Sequence, residues 1–282
     1  MSGPFPGIAG LATYALVDGG CRVEVIPSRG ALVTRMRVDG DELLYLDEAT
    51  VADPAKNVRG GIPVLFPIAG PLPGDTYSVD GQPYTLPQHG FARKLPWRVL
   101  QAEAARLAVE LTSSEETLRH FPWRFDARLT FSLAGRRLTL AFEVENQDSR
   151  PMPLHLGFHP YFHVPDAAKA QAGVETDATR AWDNQRKQDV AFSGLALTEA
   201  EVDLHLKDHS KPDTTLERGP GLEPIRLSWS PEYRVLVVWT LRGKDFVCVE
   251  PWTAPAGALA TGEGLMRVQA GARVSLRFDI QG

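Results

Sequence analysis

Three histidines recur four apart in LHLGFHPYFHVPD, Leu154 to Asp166: His155, His159 and His163. On a helix that spacing would stack the imidazoles on one face, as a metal site or a proton relay requires. The same segment carries Pro153, Pro160 and Pro165, with Pro151 just ahead of it. Each interior proline removes a helical hydrogen bond and restrains the residue before it, so a helix is untenable. On a strand, Met152, Leu154, Leu156 and Phe158 share one face, and His155 and Gly157 share the other until His159-Pro160 ends the run. His159 is then expected where the chain leaves a sheet and a side chain reaches into a cleft. His155 points to the face opposite Leu156, and His163 lies beyond the turn. HExxH and its relatives are absent, which removes the usual pattern of a zinc hydrolase.

A second polar residue at an expected strand end occurs in KDFVCVEPW, where Phe246, Cys248 and Glu250 share one face and Pro251 follows. An unpaired carboxylate taken out of water is costly, so Glu250 either finds donors, serves a site or frays into solvent. The Gly- and Pro-rich stretch from Val58 to Lys94 also holds apolar and aromatic residues, and reads as an ordered long loop. Within it Arg59, His89 and Arg93 are suited to holding a hydroxylated or anionic ligand, because guanidinium offers a fixed fork of donors. Neither Walker A nor GxGxxG occurs, so no nucleotide cradle is expected.

The elements that must carry these groups are strands. Leu129, Phe131 and Leu133 alternate with polar residues, Ala134-Gly135-Arg136 turns the chain, and Leu138, Leu140, Phe142 and Val144 resume the alternation. Similar runs occur at 21–26, 32–38, 107–111, 152–158, 225–228, 233–240, 246–250 and 274–280. The best helical segment is SSEETLRHF, with Ser113 or Ser114 as N-cap. Gly and Pro are scattered between strands with no linker or fixed repeat, which predicts one large antiparallel β-sandwich domain over residues 1–282. The net charge of −5 provides no basic footprint for nucleic acid. The first residues lack a secretory pattern and no 18-residue apolar run exists, so a soluble, cytoplasmic protein without a membrane partner is expected. Cys21 and Cys248 lie 227 positions apart without CxxC, and are expected to be reduced and structural.

RGGIPVLFP at 59–67, QHGFAR at 88–93, LGFHPYFHV at 156–164 and FVCVEPW at 246–252 together resemble the aldose 1-epimerase (mutarotase) superfamily, particularly its hexose-6-phosphate epimerase-like branch. The resemblance implies a galactose-mutarotase-like β-sandwich with a sugar cleft. It also implies catalysis by His159 as acid and Glu250 as base, with Arg59, His89 and Arg93 lining the site and Asp203 of EVDLHL holding sugar hydroxyls. Phe66-Pro67-Ile68-Ala69 and His163 depart from the branch at positions that bear on sugar and phosphate preference.

Anomer exchange moves one proton off the C1 hydroxyl and another onto the ring oxygen. A glutamate of reference pKa about 4.3 and a histidine near 6.5 suit those tasks. The expectation is that donors hold Glu250 ionised and that nearby negative charge, such as that of Glu250, keeps His159 protonated. The reaction involves no redox change, so neither cofactor nor metal is expected, and the partner is a small sugar or sugar phosphate. One alternative is a non-catalytic carbohydrate-binding sandwich with Trp252, Tyr161 and Phe91 stacking on sugars. Another is a glycosidase using Glu250 and Asp203. Trp97, Trp123, Trp182, Trp229 and Trp239 are assigned to packing, and His120, His205 and His209 to ordinary surface or packing positions.

Overall fold

The computed structural model describes residues 3–282 and is built almost entirely of antiparallel strands. The alternation around Gly135 becomes the hairpin Phe125–Ala134 and Arg137–Asn146, in which every second side chain turns inward. Leu129 stands opposite Phe142 and Phe131 opposite Leu140, so cross-strand pairs build a continuous apolar strip. Gly135 closes the turn at φ +58°, in the left-handed region that side chains disfavour.

That hairpin lies inside an eight-stranded sheet running from Arg98–Ala102 at one edge to Gly173–Val174 at the other. A second eight-stranded sheet orders Gln188–Ala191, Arg180–Asp183, Glu201–Leu206, Val235–Leu241 and Phe246–Trp252, followed by Gly157–Phe158 and Val64–Leu65. Tyr161–His163 also pairs with Phe246–Trp252. A five-stranded sheet begins at Phe5–Pro6 and ends at Asp41–Glu42. Val23, Val33 and Met36 of this sheet join Leu129 and Phe142 of the first and Val247 and Val249 of the second in one buried cluster. The result is the all-β sandwich with few, short helices that the alternation implies. Ser114 caps the helix Glu115–His120 through a reciprocal bond with Thr117.

Two expected strands differ from the observed ones. Met152–Phe158 is divided: Met152–Leu154 pairs with Met266–Val268, and Gly157–Phe158 pairs within the second sheet. The chain changes sheets between them, where Leu156 N donates to Thr253 Oγ1 at 2.9 Å. Phe246–Glu250 instead continues through Pro251 to Trp252, buried at all seven positions, so Glu250 is internal to the strand. The proline-rich segment 58–94 is ordered, and folds part of its length into the hairpin Thr76–Val79 and Gln82–Thr85.

Candidate active site

The second sheet is interrupted beside its most buried strand. Gly157 pairs with Trp252 and Tyr161 with Cys248, so the register is the same on both sides of the break and His159 stands opposite Glu250. Pro160 and Pro251 lack the N–H groups that would close the ladder there. The His159 N–H turns away to the carbonyl of Pro63 at 3.0 Å. The imidazole Nδ1 of His159 lies 3.4 Å from Glu250 Oε1, as cross-strand neighbours do. Tyr161 stacks on the His159 ring at 4.7 Å and 8°, fixing its plane. Trp252 Nε1 donates to Glu250 Oε2 at 3.1 Å.

His159 and Glu250 line a cleft of about 230 Å³ together with Arg59, His89, Arg93 and Asp203. All six residues singled out in the sequence therefore reach one concavity. Its volume falls below the roughly 300–1,000 Å³ typical of drug-sized ligands. A larger concavity, about 510 Å³ and lined by Tyr77, Trp123, Arg150 and Arg267, holds no comparable acid/base pair.

Each wall of the cleft has a structural cause. His89 sits at φ +67°, a strained setting for a side chain, held by a two-point clasp with Gly70. Its N–H donates to the Gly70 carbonyl at 3.0 Å, and its Nδ1 accepts from the Gly70 N–H at 2.9 Å. Nδ1 is thus the acceptor, so the neutral ring carries its proton on Nε2. Arg93 donates to the Gln88 carbonyl at 2.8 Å, while its Nε is buried without a partner. Arg59 lies over the Trp239 ring at 5.5 Å, a cation–π contact. Asp203 accepts from Asn184 Nδ2 at 2.6 Å and lies 3.2 Å from His205 Nε2.

Protonation in the free cleft runs opposite to expectation. Burial, followed by the charges of Arg93 and Arg59, lowers His159 to a pKa of about 3. Burial, followed by Asp203, raises Glu250 well above the ordinary carboxylate range, against the weaker pull of Trp252 Nε1 and Arg93. Mutual attraction was expected to keep the pair charged; desolvation outweighs it because both groups are enclosed and Glu250 has one side-chain donor among the described residues. Burial also pushes Asp203 upward, but the bonds from His205 and Asn184 bring it below its usual value. Burial and the neighbouring His159 depress His89.

Other assignments change as well. His205 is no ordinary packing residue: it lines the cleft and braces Asp203. Its signal was present as the same-face spacing of Asp203 and His205 on one strand. Trp239, assigned to packing, also lines the cleft, with Nε1 donating to Glu201 at 2.9 Å. Asn184 and Glu201 carried no local signal. Phe91 is removed from the sugar-stacking set, because it packs against Phe66 and Phe125 in the core. Tyr161 spends its face on His159. His155 is buried outside the cleft lining, its ring 6.2 Å from Trp252.

A family model described as aldose 1-epimerase matches residues 13–279. The structure of the Slr1438 protein from Synechocystis sp. PCC 6803 superposes with a TM-score of 0.91 at 36% identity, covering 100% of this chain and 97% of the other. A galactose mutarotase-like protein from Clostridium acetobutylicum shares the fold, with a TM-score of 0.82 at 19% identity over 98% and 96% of the two chains. A Cenchrus ciliaris protein named as a candidate glucose-6-phosphate 1-epimerase is 29% identical over 261 residues, 82% of this chain and 74% of its own length.

Proposed function

The chain belongs to the aldose 1-epimerase family, and we propose that it interconverts the α and β anomers of an aldohexose or hexose 6-phosphate by ring opening and reclosure, using His159 and Glu250. The observation that carries this reading is the 3.4 Å approach of the two side chains, 91 positions apart in sequence, at the wall of a cleft. An acid and a base within hydrogen-bonding reach of one hemiacetal are what the reaction needs.

Ring opening begins with Glu250 as carboxylate and His159 as imidazolium. Glu250 takes the C1 hydroxyl proton while His159 gives its proton to the ring oxygen, and the C1–ring oxygen bond breaks to leave an aldehyde. The step ends with a carboxylic acid and a neutral imidazole. Burial favours both of these forms in the free protein; Arg93 and Arg59 add to it at the imidazole, and Asp203 adds to it at Glu250 against the weaker pull of Arg93. The environment is therefore matched to the ring-open intermediate. Sugar hydroxyls supply Glu250 with donors that it lacks in the free protein, which draws its proton across to His159 on binding. Rotation about C1–C2 and reversal of the two transfers on the opposite carbonyl face complete the exchange.

Arg59 and Arg93 are the groups assigned to a 6-phosphate or to hydroxyls, and the unpartnered Nε of Arg93 supports a role as donor to ligand. Optical rotation of freshly dissolved α-glucose, α-galactose and glucose 6-phosphate tests the proposal; acceleration of none of them would overturn it. Glu250→Gln should lower kcat roughly 10²- to 10⁴-fold with the melting temperature retained. A phosphate preference that rests on the two arginines should shrink as salt rises. A second reading, sugar binding without reaction, draws on the Trp239 and Trp252 walls; it is selected by saturable binding with no anomeric acceleration.

A further inference from the structure

Cys248 lies on the same strand face as Glu250, two residues earlier, and is fully buried. The strand brings its thiol beneath the acid/base pair. One ligand atom from each of His159, Cys248 and Glu250 falls within 4.8 Å of the other two. His159 Nδ1 is buried and has no hydrogen-bond partner, so its donor or acceptor capacity is unspent.

We propose that His159, Cys248 and Glu250 form a site for a thiophilic divalent cation, of the Zn²⁺ or Cd²⁺ kind, and that its occupancy blocks the acid/base pair. Zn–N and Zn–O distances of about 2.0–2.1 Å in a tetrahedron place two such ligands roughly 3.4 Å apart. The His159–Glu250 separation of 3.4 Å already meets that edge. Sulfur at about 2.3 Å from the metal requires edges near 3.5 Å, within a side-chain adjustment of the observed cluster. One thiolate, one imidazole and one carboxylate form a borderline-soft set that selects Zn²⁺ or Cd²⁺ over Mg²⁺ and Ca²⁺, which demand oxygen.

Three protein ligands leave a fourth position, and His159 and Glu250 direct it toward the cleft they line. The cation enters from there, since Cys248 itself has no exposed surface. On binding, the thiol proton and any proton on Glu250 pass to water, the freed sulfur and oxygen pairs coordinate, and no electron changes hands. The imidazole lone pair and the carboxylate are then both committed to the metal, so neither can relay a proton. Arg59 and Arg93 repel a dication, which makes the site weaker than a closed structural zinc centre.

Cadmium titration of the full chain, followed by the ultraviolet cadmium–thiolate charge-transfer band and by proton release, tests the site without reference to catalysis. Wild-type protein should show the band and release at least one proton per metal, whereas Mg²⁺ should give neither. Cys248→Ser and Cys248→Ala, each checked by its melting temperature, should abolish the band and weaken binding by more than the 10- to 100-fold typical of a lost outer-shell partner. Where mutarotation is measurable, Zn²⁺ should inhibit the wild type, and both variants should retain activity and escape that inhibition. The proposal is overturned if saturating Cd²⁺ produces no thiolate band, or if either folded variant binds the metal as tightly as wild type. Absence of mutarotation would count against the reaction proposed above and leave the binding result to decide the site.

Discussion

His89, His155 and His159 are each enclosed and each held neutral. Burial alone dominates at His155, whose pKa is lowered to about 3, as it is at His159. An unfolded chain takes up protons at these positions as pH falls below about 6.5, while in the native protein His155 and His159 resist until about 3 and His89 is shifted in the same direction. Folded pKa values below the unfolded ones make the contribution complete above about 6.5 and progressively lost toward 3. Glu250 acts in the opposite sense, since its raised pKa costs stability as pH rises above its unfolded value, but three imidazoles outweigh one carboxyl. Thermal melts between pH 7.5 and 4 should therefore fall steeply, at about 1 kcal/mol per pH unit for each histidine that titrates only on unfolding. His155→Gln, outside the cleft lining, should flatten that slope by one histidine's share; an unchanged slope would contradict the burial argument. The identities of these side chains were legible in the chain, but their protonation was not. Desolvation depends on how many neighbours surround a group, and spacing along a strand says nothing of that number.

Among the elements, the broken pairing beside Phe246–Trp252 matters most. Its cause lies in plain view as Pro160 and Pro251, yet the two prolines are 91 positions apart and only the register shows that they share one gap. Gly157 borders this gap, and a Cβ there would approach Trp252 Cδ1 at 2.7 Å and Ala69 Cβ at 3.1 Å. Trp252 must then shift, and with it the indole N–H that Glu250 accepts. Gly157→Ala is expected to cost roughly 1–3 kcal/mol through overpacking. It should also lower kcat more than it raises KM, because it disturbs the proposed base and leaves Arg59 and Asp203 in place. A denaturant melt with steady-state rates on the same preparation checks both effects. The continuous strand anticipated at 152–158 failed for a related reason: all its residues are buried, on both faces and in two different sheets, so alternation carried no information about where the pairing changes.

Across the molecule, one apolar cluster binds three sheets and leaves the cleft on the far side of the strand that contributes Val247 and Val249 to that cluster. Stability and chemistry are thereby separated by the two faces of a single strand. Leu140 of the first sheet is fully buried, opposite Phe131 and Phe278. Leu140→Ala should lower stability by about 2–5 kcal/mol, read from the urea midpoint, while activity per folded molecule and its pH profile stay unchanged. A displaced pH profile would mean that the core and the cleft are coupled.

Alternation, punctuation by glycine and proline, and the four quoted motifs were enough to read the all-β class and to single out six residues that line one cleft, because period-two patterns and proline geometry act locally along the chain. Folding alone settled which distant residues touch. His205 and Trp239 joined the cleft, Phe91 left it, Cys248 came beneath the pair, and burial reversed the expected charges. Each of these depends on pairing between strands far apart in sequence and on the solvent that such pairing excludes, and neither is encoded in any short stretch of residues.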